Sequence, residues 1–372
     1  MSLKKKLRKK PVFDQFLLLR PALQSRRQVR QRLHQAAQWM APGRYRVQWN
    51  LAHRELAPGE SPSTIRSAFL EHNRDRQLAY RIADDLPPRT VTLEDRSEGA
   101  SAGESADVLL VRGECTLLLA RDGRHIVRLF PEADTPQRIL ANAAHLRQWL
   151  RIPEVEPWPT RASGLHAVRE SLMPGTLFKM GTPKANVAAY RDFLGQCAAH
   201  AHQAHGRFGR GDEIRAVLDW PLPQWLSATL QRHADTLQEI LEPAPMLYSH
   251  GDCHPGNLLL LPDGRAGLID LERAEWMPFF FDALYLLRSQ HPSSVDVRQR
   301  YLAGELDDAL APIWEAVGDE FRPERRLSYL LAVSVAHGLR SQYRDKTVKK
   351  RARKLANSTR ALRRDCTSAA AA

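Results

Sequence analysis

His250-Gly251-Asp252-Cys253-His254-Pro255-Gly256-Asn257 opens the stretch that decides the fold of this 372-residue chain. It continues through the apolar Leu258-Leu259-Leu260-Leu261, the turn residues Pro262-Asp263-Gly264-Arg265, and Ala266-Gly267-Leu268-Ile269, ending on Asp270-Leu271-Glu272. Two apolar runs around Pro-Asp-Gly-Arg predict a β-hairpin with a four-residue turn. If Leu261 faces Ala266, the same register sets Asn257 opposite Asp270. Directly paired residues bring their Cβ atoms to about 4.5–5.5 Å, so an amide oxygen and a carboxylate would converge at the open end of the hairpin. A few hard oxygen donors, with room for waters and phosphates, suit Mg²⁺ rather than zinc. Asp252, upstream on an irregular loop, would sit beside that metal, placed to take the proton of an attacking hydroxyl.

Upstream, residues 108–111, 116–119 and 125–130 read as short β runs separated by Arg112-Gly113-Glu114 and Arg121-Asp122-Gly123-Arg124. A helix is expected over 135–150 and another strand over 167–170. Pro174-Gly175 breaks the chain, and from Asn186 onward the pattern is mostly helical apart from the hairpin. Towards the N-terminus, Ser97 to Ser105 is a small, polar linker. Ser63 to Leu86 reads as one or two amphipathic helices stopped by Pro87-Pro88, and residues 1–40 as basic helix.

The net charge of +13 is concentrated at the ends: +12 over residues 1–50 and +9 over 340–372, which leaves −8 for 51–339. An acidic body between basic ends argues against a basic groove through the fold and for ends that touch something anionic. Solvated tails and an anionic membrane surface are equally good readings of those ends. Nucleic acid ranks below both, because no aromatic residue interleaves with the run from Lys346 to Arg364. The four cysteines, Cys115, Cys197, Cys253 and Cys366, are far apart. That excludes a thiolate zinc site and a disulfide scaffold, and fits a reducing compartment. No apolar run approaches the ~20 residues of a membrane span. Phe16 to Leu19 after the basic Lys4–Lys10 has no small-residue cleavage site behind it. The chain is read as cytoplasmic, with basic ends suited to the inner face of the cell membrane.

The division of labour around Asp252, Asn257 and Asp270 is that of a kinase: a loop base, a loop Asn and a strand-end Asp holding metal on the ATP phosphates. His-Gly-Asp-x-x-x-x-Asn followed by Ile-Asp resembles the aminoglycoside phosphotransferase and choline kinase group, relatives of the protein kinases. The resemblance covers about residues 106–290. It implies an α+β, bilobal protein-kinase-like fold, with a small β-rich N-lobe, a larger helical C-lobe and a basic helical N-terminal extension. It also implies ATP and Mg²⁺ as cofactors, Asp252 as catalytic base, and Asn257 and Asp270 as metal ligands. Arg169-Glu170-Ser171-Leu172-Met173-Pro174-Gly175 is similar to the hinge between the lobes, which puts Glu170 beside the nucleotide. Asp282 is similar to a buried Asp that braces the catalytic loop. Residues 1–100 would then be the extension, 101–172 the nucleotide-binding N-lobe, 173–345 the catalytic C-lobe and 346–372 a basic tail.

The upper lobe departs from the family. No lysine lies between Lys10 and Lys179, so Arg128 stands where a phosphate-contacting lysine is expected, and Asn142 where its helix glutamate belongs. A catalytically dead pseudokinase scaffold at the membrane surface therefore remains an alternative. As an enzyme, the chain would move the γ-phosphoryl group of ATP to a hydroxyl of a non-protein acceptor. Leu268-Ile269-Asp270-Leu271-Glu272-Arg273 is similar to a segment of bacterial lipopolysaccharide-core sugar kinases. That favours a sugar of a lipopolysaccharide or related glycan, with an aminoglycoside or other small molecule as the alternative. Glu272 could frame the acceptor or the metal. His200, His202, His205, His250 and His254 invite a metal-site reading. With no carboxylate spaced among them a zinc site is disfavoured, and the family resemblance implies instead that His202 packs beneath the catalytic loop.

Overall fold

The computed structural model of the chain describes residues 25, 27–48, 50–61, 67, 70, 89–94, 105–112, 115–159, 164–340, 343 and 346–363. The chain divides into two compact units, residues 1–140 with 154–172, and residues 141–153 with 173–372.

The first unit is an eight-stranded antiparallel sheet. Its strands are β1 (Gly43–Gln48), β2 (Leu51–Arg54), β3 (Arg89–Leu93), β4 (Ala106–Arg112), β5 (Cys115–Ala120), β6 (His125–Phe130), β7 (Val155–Trp158) and β8 (His166–Ser171), in the order β3-β1-β2-β4-β5-β6-β8-β7. The expected runs around 108–111, 116–119, 125–130 and 167–170 are therefore strands β4, β5, β6 and β8. The helical reading of residues 1–100 passes over β1, β2 and β3. Their signal was present: in Arg44-Tyr45-Arg46-Val47 the aromatic and aliphatic residues are fully buried and the arginines exposed, the period-two pattern of a half-buried strand. These strands extend the sheet through β2, which pairs with β4. Helical residues 27–35 add Val29 and Leu33 to the same core as Tyr45, Val47, Leu109, Leu118 and Val127. The N-terminal region is thus built into the sheet unit. The helices expected over 1–24 and, apart from 67 and 70, over 63–86 lie outside the described residues.

Helix α1 (Asp134–Leu146) carries the chain across the division of the units. In the second unit, β9 (Thr176–Leu177) is followed by α2 (Pro183–Ala201), α3 (Gly211–Leu218), α4 (Gln224–Arg232) and α5 (Ala234–Leu241). Helix α2 starts where Thr182 Oγ1 accepts the Ala185 N–H and Pro183 fills the first turn. Strands β10 (Met246–Ser249), β11 (Leu258–Leu260), β12 (Ala266–Leu268) and β13 (Glu275–Pro278) follow, then α6 (Phe281–Tyr285), α7 (Pro292–Leu302), α8 (Asp307–Glu315), α9 (Arg326–Gly338) and α10 (Val348–Thr359). Residues 328–338 of α9 are all buried. Helix α10 buries Ala352, Leu355 and Thr359, and the Arg351 guanidinium lies 4.5 Å over the Trp220 ring. The basic C-terminus is therefore a packed amphipathic helix as far as it is described, exposing Lys349, Lys350, Arg353 and Arg360.

The hairpin forms, but one residue out of the expected register. Leu258 faces Leu268 and Leu260 faces Ala266. The Leu261 N–H donates to the Arg265 carbonyl at 2.8 Å, so Arg265 belongs to the strand and the loop is the three residues 262–264. Gly264, at φ +79°, supplies the left-handed closing residue of such a loop. Asp263 Oδ1 accepts the Arg265 N–H at 3.0 Å. Asn257 consequently lies opposite Ile269, whose N–H donates to the Asn257 carbonyl at 2.9 Å, and not opposite Asp270.

Candidate active site

Strand β10 delivers the chain into the irregular loop 250–257, where side chains satisfy the backbone. The buried Asp282 carboxylate, in the first turn of α6, accepts the His250 N–H at 2.6 Å and the Gly251 N–H at 2.9 Å. Two such donors offset the cost of burying an ionised carboxylate. Gly251 has φ +78°, and a Cβ there would meet the Arg273 carbonyl oxygen at 2.5 Å, so the position requires glycine. His250 Nδ1 accepts the Asp252 N–H at 3.2 Å, which leaves Nε2 to donate to the Ile269 carbonyl at 3.0 Å. That imidazole is the splint between the loop and the second hairpin strand.

Asn257 Nδ2 donates to the Asp252 carbonyl at 3.1 Å, which commits the amide nitrogen and turns its oxygen the other way. Asp270 is the one non-glycine residue with positive φ among the described residues, at φ 71° and ψ 68°. This left-handed backbone costs about 1–3 kcal/mol and persists where the surroundings enforce it, which is common at functional sites. His254 connects the acids: burial lowers its pKa, and both the Asp252 and Asp270 carboxylates act against that shift. One imidazole thus feels both carboxylates, despite the register that separates Asn257 from Asp270 in the ladder. The donors, an amide oxygen and a carboxylate, fit Mg²⁺, which keeps waters and takes few protein ligands.

Asp252 is 7% exposed, and its two oxygens have different surroundings. Oδ1 accepts the Tyr285 hydroxyl at 3.1 Å. Oδ2 lies 3.6 Å from Arg273 Nε and 4.0 Å from His254 Nε2, both on half-exposed side chains. Glu272 is partly exposed in the short helical turn Leu271–Arg273. Cys253 is buried, and burial and the nearby Asp282 push its thiol well up, so it is a packing residue.

Sequence reasoning missed Arg340. Counted with the basic C-terminus, it is 1% exposed. It donates to the Gly251 carbonyl, to the Arg273 carbonyl at 2.6 Å and to the Glu275 carboxylate. It clamps the loop to the turn after Asp270, and no local pattern announces it. The histidine expectation also needs correction: His202 is exposed at the end of α2, whereas His200 is buried, stacked 6.1 Å from Trp149. On an α-helix these two positions point to different faces, and the apolar side of α2 claimed His200.

In the first unit, Arg128 on β6 pairs with Glu170 on β8 at 3.0 Å, both side chains largely buried. Glu170 faces Ile126 and Arg128 faces Val168, so the two meet diagonally across adjacent strands. The carboxylate of Arg128 thus comes from a strand and not from a helix. Asn142, at the helix position where a glutamate was expected, donates to the Leu271 carbonyl and accepts the Tyr248 hydroxyl, each at 2.6 Å.

Residues 98–318 match the model of the phosphotransferase enzyme family (APH). Similar solved structures include aminoglycoside phosphotransferase APH(4)-Ia, 18% identical, with 69% of this chain and 92% of that chain covered at a TM-score of 0.45. APH(3'')-Id from Streptomyces rimosus in complex with ADP and streptomycin is 17% identical, covering 65% and 95% at a TM-score of 0.41. An aminoglycoside phosphotransferase from Alicyclobacillus acidocaldarius is 15% identical, covering 70% and 91% at a TM-score of 0.37. No curated protein matches the chain. The family match takes in strands β4 to β13 and the side chains that pair directly with Asp252, over more than half of the 372 residues, and the chain belongs to the phosphotransferase enzyme family, with its protein-kinase-like fold.

Proposed function

We propose that the chain transfers the γ-phosphoryl group of ATP to a sugar hydroxyl of an anionic glycan, of the lipopolysaccharide kind. Asp252 Oδ2 takes the proton of the attacking hydroxyl as the new P–O bond forms, and ADP leaves. Asn257 Oδ1 and the Asp270 carboxylate would hold Mg²⁺, which would supply charge neutralisation. Arg128, oriented by Glu170, contacts the nucleotide. Residues 101–172 would serve nucleotide binding and residues 173–345 acceptor binding and transfer.

The observation that carries the choice of acceptor is Arg273, half-exposed and 3.6 Å from the oxygen that faces the hydroxyl. A cation there favours an acceptor bearing phosphate or carboxylate near the reacting hydroxyl, and it repels the ammonium groups of an aminoglycoside. The exposed lysines and arginines of α10 support the same reading, since each contributes about 1 kcal/mol near an anionic membrane surface. Among the described residues no helix is long and apolar enough to cross a membrane.

A thermal-shift titration with Mg²⁺·ATP tests the nucleotide site: about 2.7 kcal/mol of stabilisation at one hundred times Kd, lost in Asp270→Ala. Labelled-phosphate transfer, with phosphorylated core oligosaccharide and with aminoglycosides as acceptors, tests the rest. Transfer to the oligosaccharide alone, falling steeply as salt rises, is expected. Transfer only to aminoglycosides would sink the glycan reading.

A further inference from the structure

We propose that Tyr285 is a positioning residue for the transfer reaction: it holds Asp252 Oδ1 so that Oδ2 faces the acceptor hydroxyl. The inference rests on the reading of Asp252 as the base. Rotation of a carboxylate about its last bond is soft, so nothing covalent sets which oxygen points where. The Tyr285 hydroxyl, 3.1 Å from Oδ1, supplies that constraint from the protein interior. An ionised carboxylate has only acceptors, so the phenol proton is spoken for.

Behind Tyr285 stands a second layer that makes the arrangement one-directional. His337 Nε2 lies 3.4 Å from the Tyr285 oxygen. Burial, with Arg288 and Arg340 nearby, keeps His337 well below its usual pKa, hence neutral. With the phenol proton committed to Asp252, Nε2 must donate to the phenol oxygen, which orders the chain His337 to Tyr285 to Asp252. His337 Nδ1 is buried with no hydrogen-bond partner among the described residues, while the ring packs edge-on against Tyr285 and Tyr343. The buried Arg288 guanidinium sits 4.6 Å over the Tyr285 ring. A cation on the ring face draws electron density from the phenol and strengthens its hydroxyl as a donor. Burial pushes the phenol pKa well up, so it stays protonated. Arg273 and His254, by contrast, make their closest approach to Oδ2.

The test uses the full chain with Mg²⁺·ATP, water serving as acceptor, and follows phosphate release from wild type, Tyr285→Phe, Asp252→Asn and the double variant. Tyr285→Phe keeps the ring and its Arg288 contact. It is expected to lower kcat about tenfold with KM for ATP within twofold, and to cost nothing further in the Asp252→Asn background. A similar loss in both backgrounds, or none in either, overturns the proposal while leaving Asp252 as base. Full activity in Asp252→Asn removes the base reading and the proposal with it. Crystal structures of wild type and Tyr285→Phe decide independently of turnover. The Asp252 carboxylate is expected to swing towards Arg273 in the variant, and an unmoved carboxylate would overturn the assignment.

Discussion

Loop 250–257 and strand β6 hold their backbones by opposite means. Strand β6 pairs with β5 on one side and β8 on the other, so its peptide groups are satisfied by neighbouring peptides. The loop has no such ladder, and the side chains of Asp282, His250, Asn257 and Arg340 do the same work. In the sheet, therefore, a side chain can change without orphaning the backbone. Substituting one of those four removes both a side chain and the partner of a peptide group of the loop, whose desolvation costs about 1–3 kcal/mol when buried.

That contrast ranks the expected effects. Asp252→Asn comes first, with a loss of about 10²–10⁴-fold in kcat and ATP binding retained, read by steady-state transfer and nucleotide titration. Arg340→Leu should destabilise by about 3 kcal/mol in urea unfolding, because a partly buried carboxylate and two carbonyls lose their buried cation together. Acid should act through His200. Burial and His145 hold its pKa down to about 4, from an ordinary 6.5. The unfolded chain then binds the proton first, so stability is full above about pH 6.5 and falls towards pH 4, by up to about 3 kcal/mol. His200→Phe should flatten that limb of the stability–pH curve, and an unchanged slope would remove His200 as its source. Gly264→Ala, where a Cβ meets nothing within 4 Å, isolates the left-handed backbone and should cost about 1–2 kcal/mol. Smallest is Arg46→Ala on the exposed face of β1, within about 0.5 kcal/mol of wild type. If Arg46→Ala cost as much as Arg340→Leu, the contrast between ladder and loop would collapse.

The same contrast explains what could be read in advance. Strands β4 to β6 and the hairpin announce themselves because apolar runs bounded by Gly, Pro and Asp are local signals. The register slipped by one because turn composition alone does not say whether Arg265 closes the loop or opens the strand. The answer lay in one backbone bond, from Leu261 to Arg265. Strands β1 to β3 show that a clear alternation is easily outweighed by the basic composition around it.

What the sequence determined by itself was the chemistry available: a carboxylate, an amide and a second carboxylate within one loop and hairpin, and the order of sheet before helices. Short-range spacing suffices there, because the residues concerned lie within twenty positions of one another. Only the tertiary structure decided how those groups are aimed. Tyr285 reaches Asp252 from 33 residues away and Arg340 reaches Gly251 from 89, while Arg128 finds Glu170 across 42. Such partners are chosen by which helices and strands pack together, since a buried charge or hydroxyl must find its complement wherever the packing brings one. Asp270 shows both levels in one residue: its place at the end of the hairpin is written in the sequence, but its left-handed backbone exists only because the fold around it is complete.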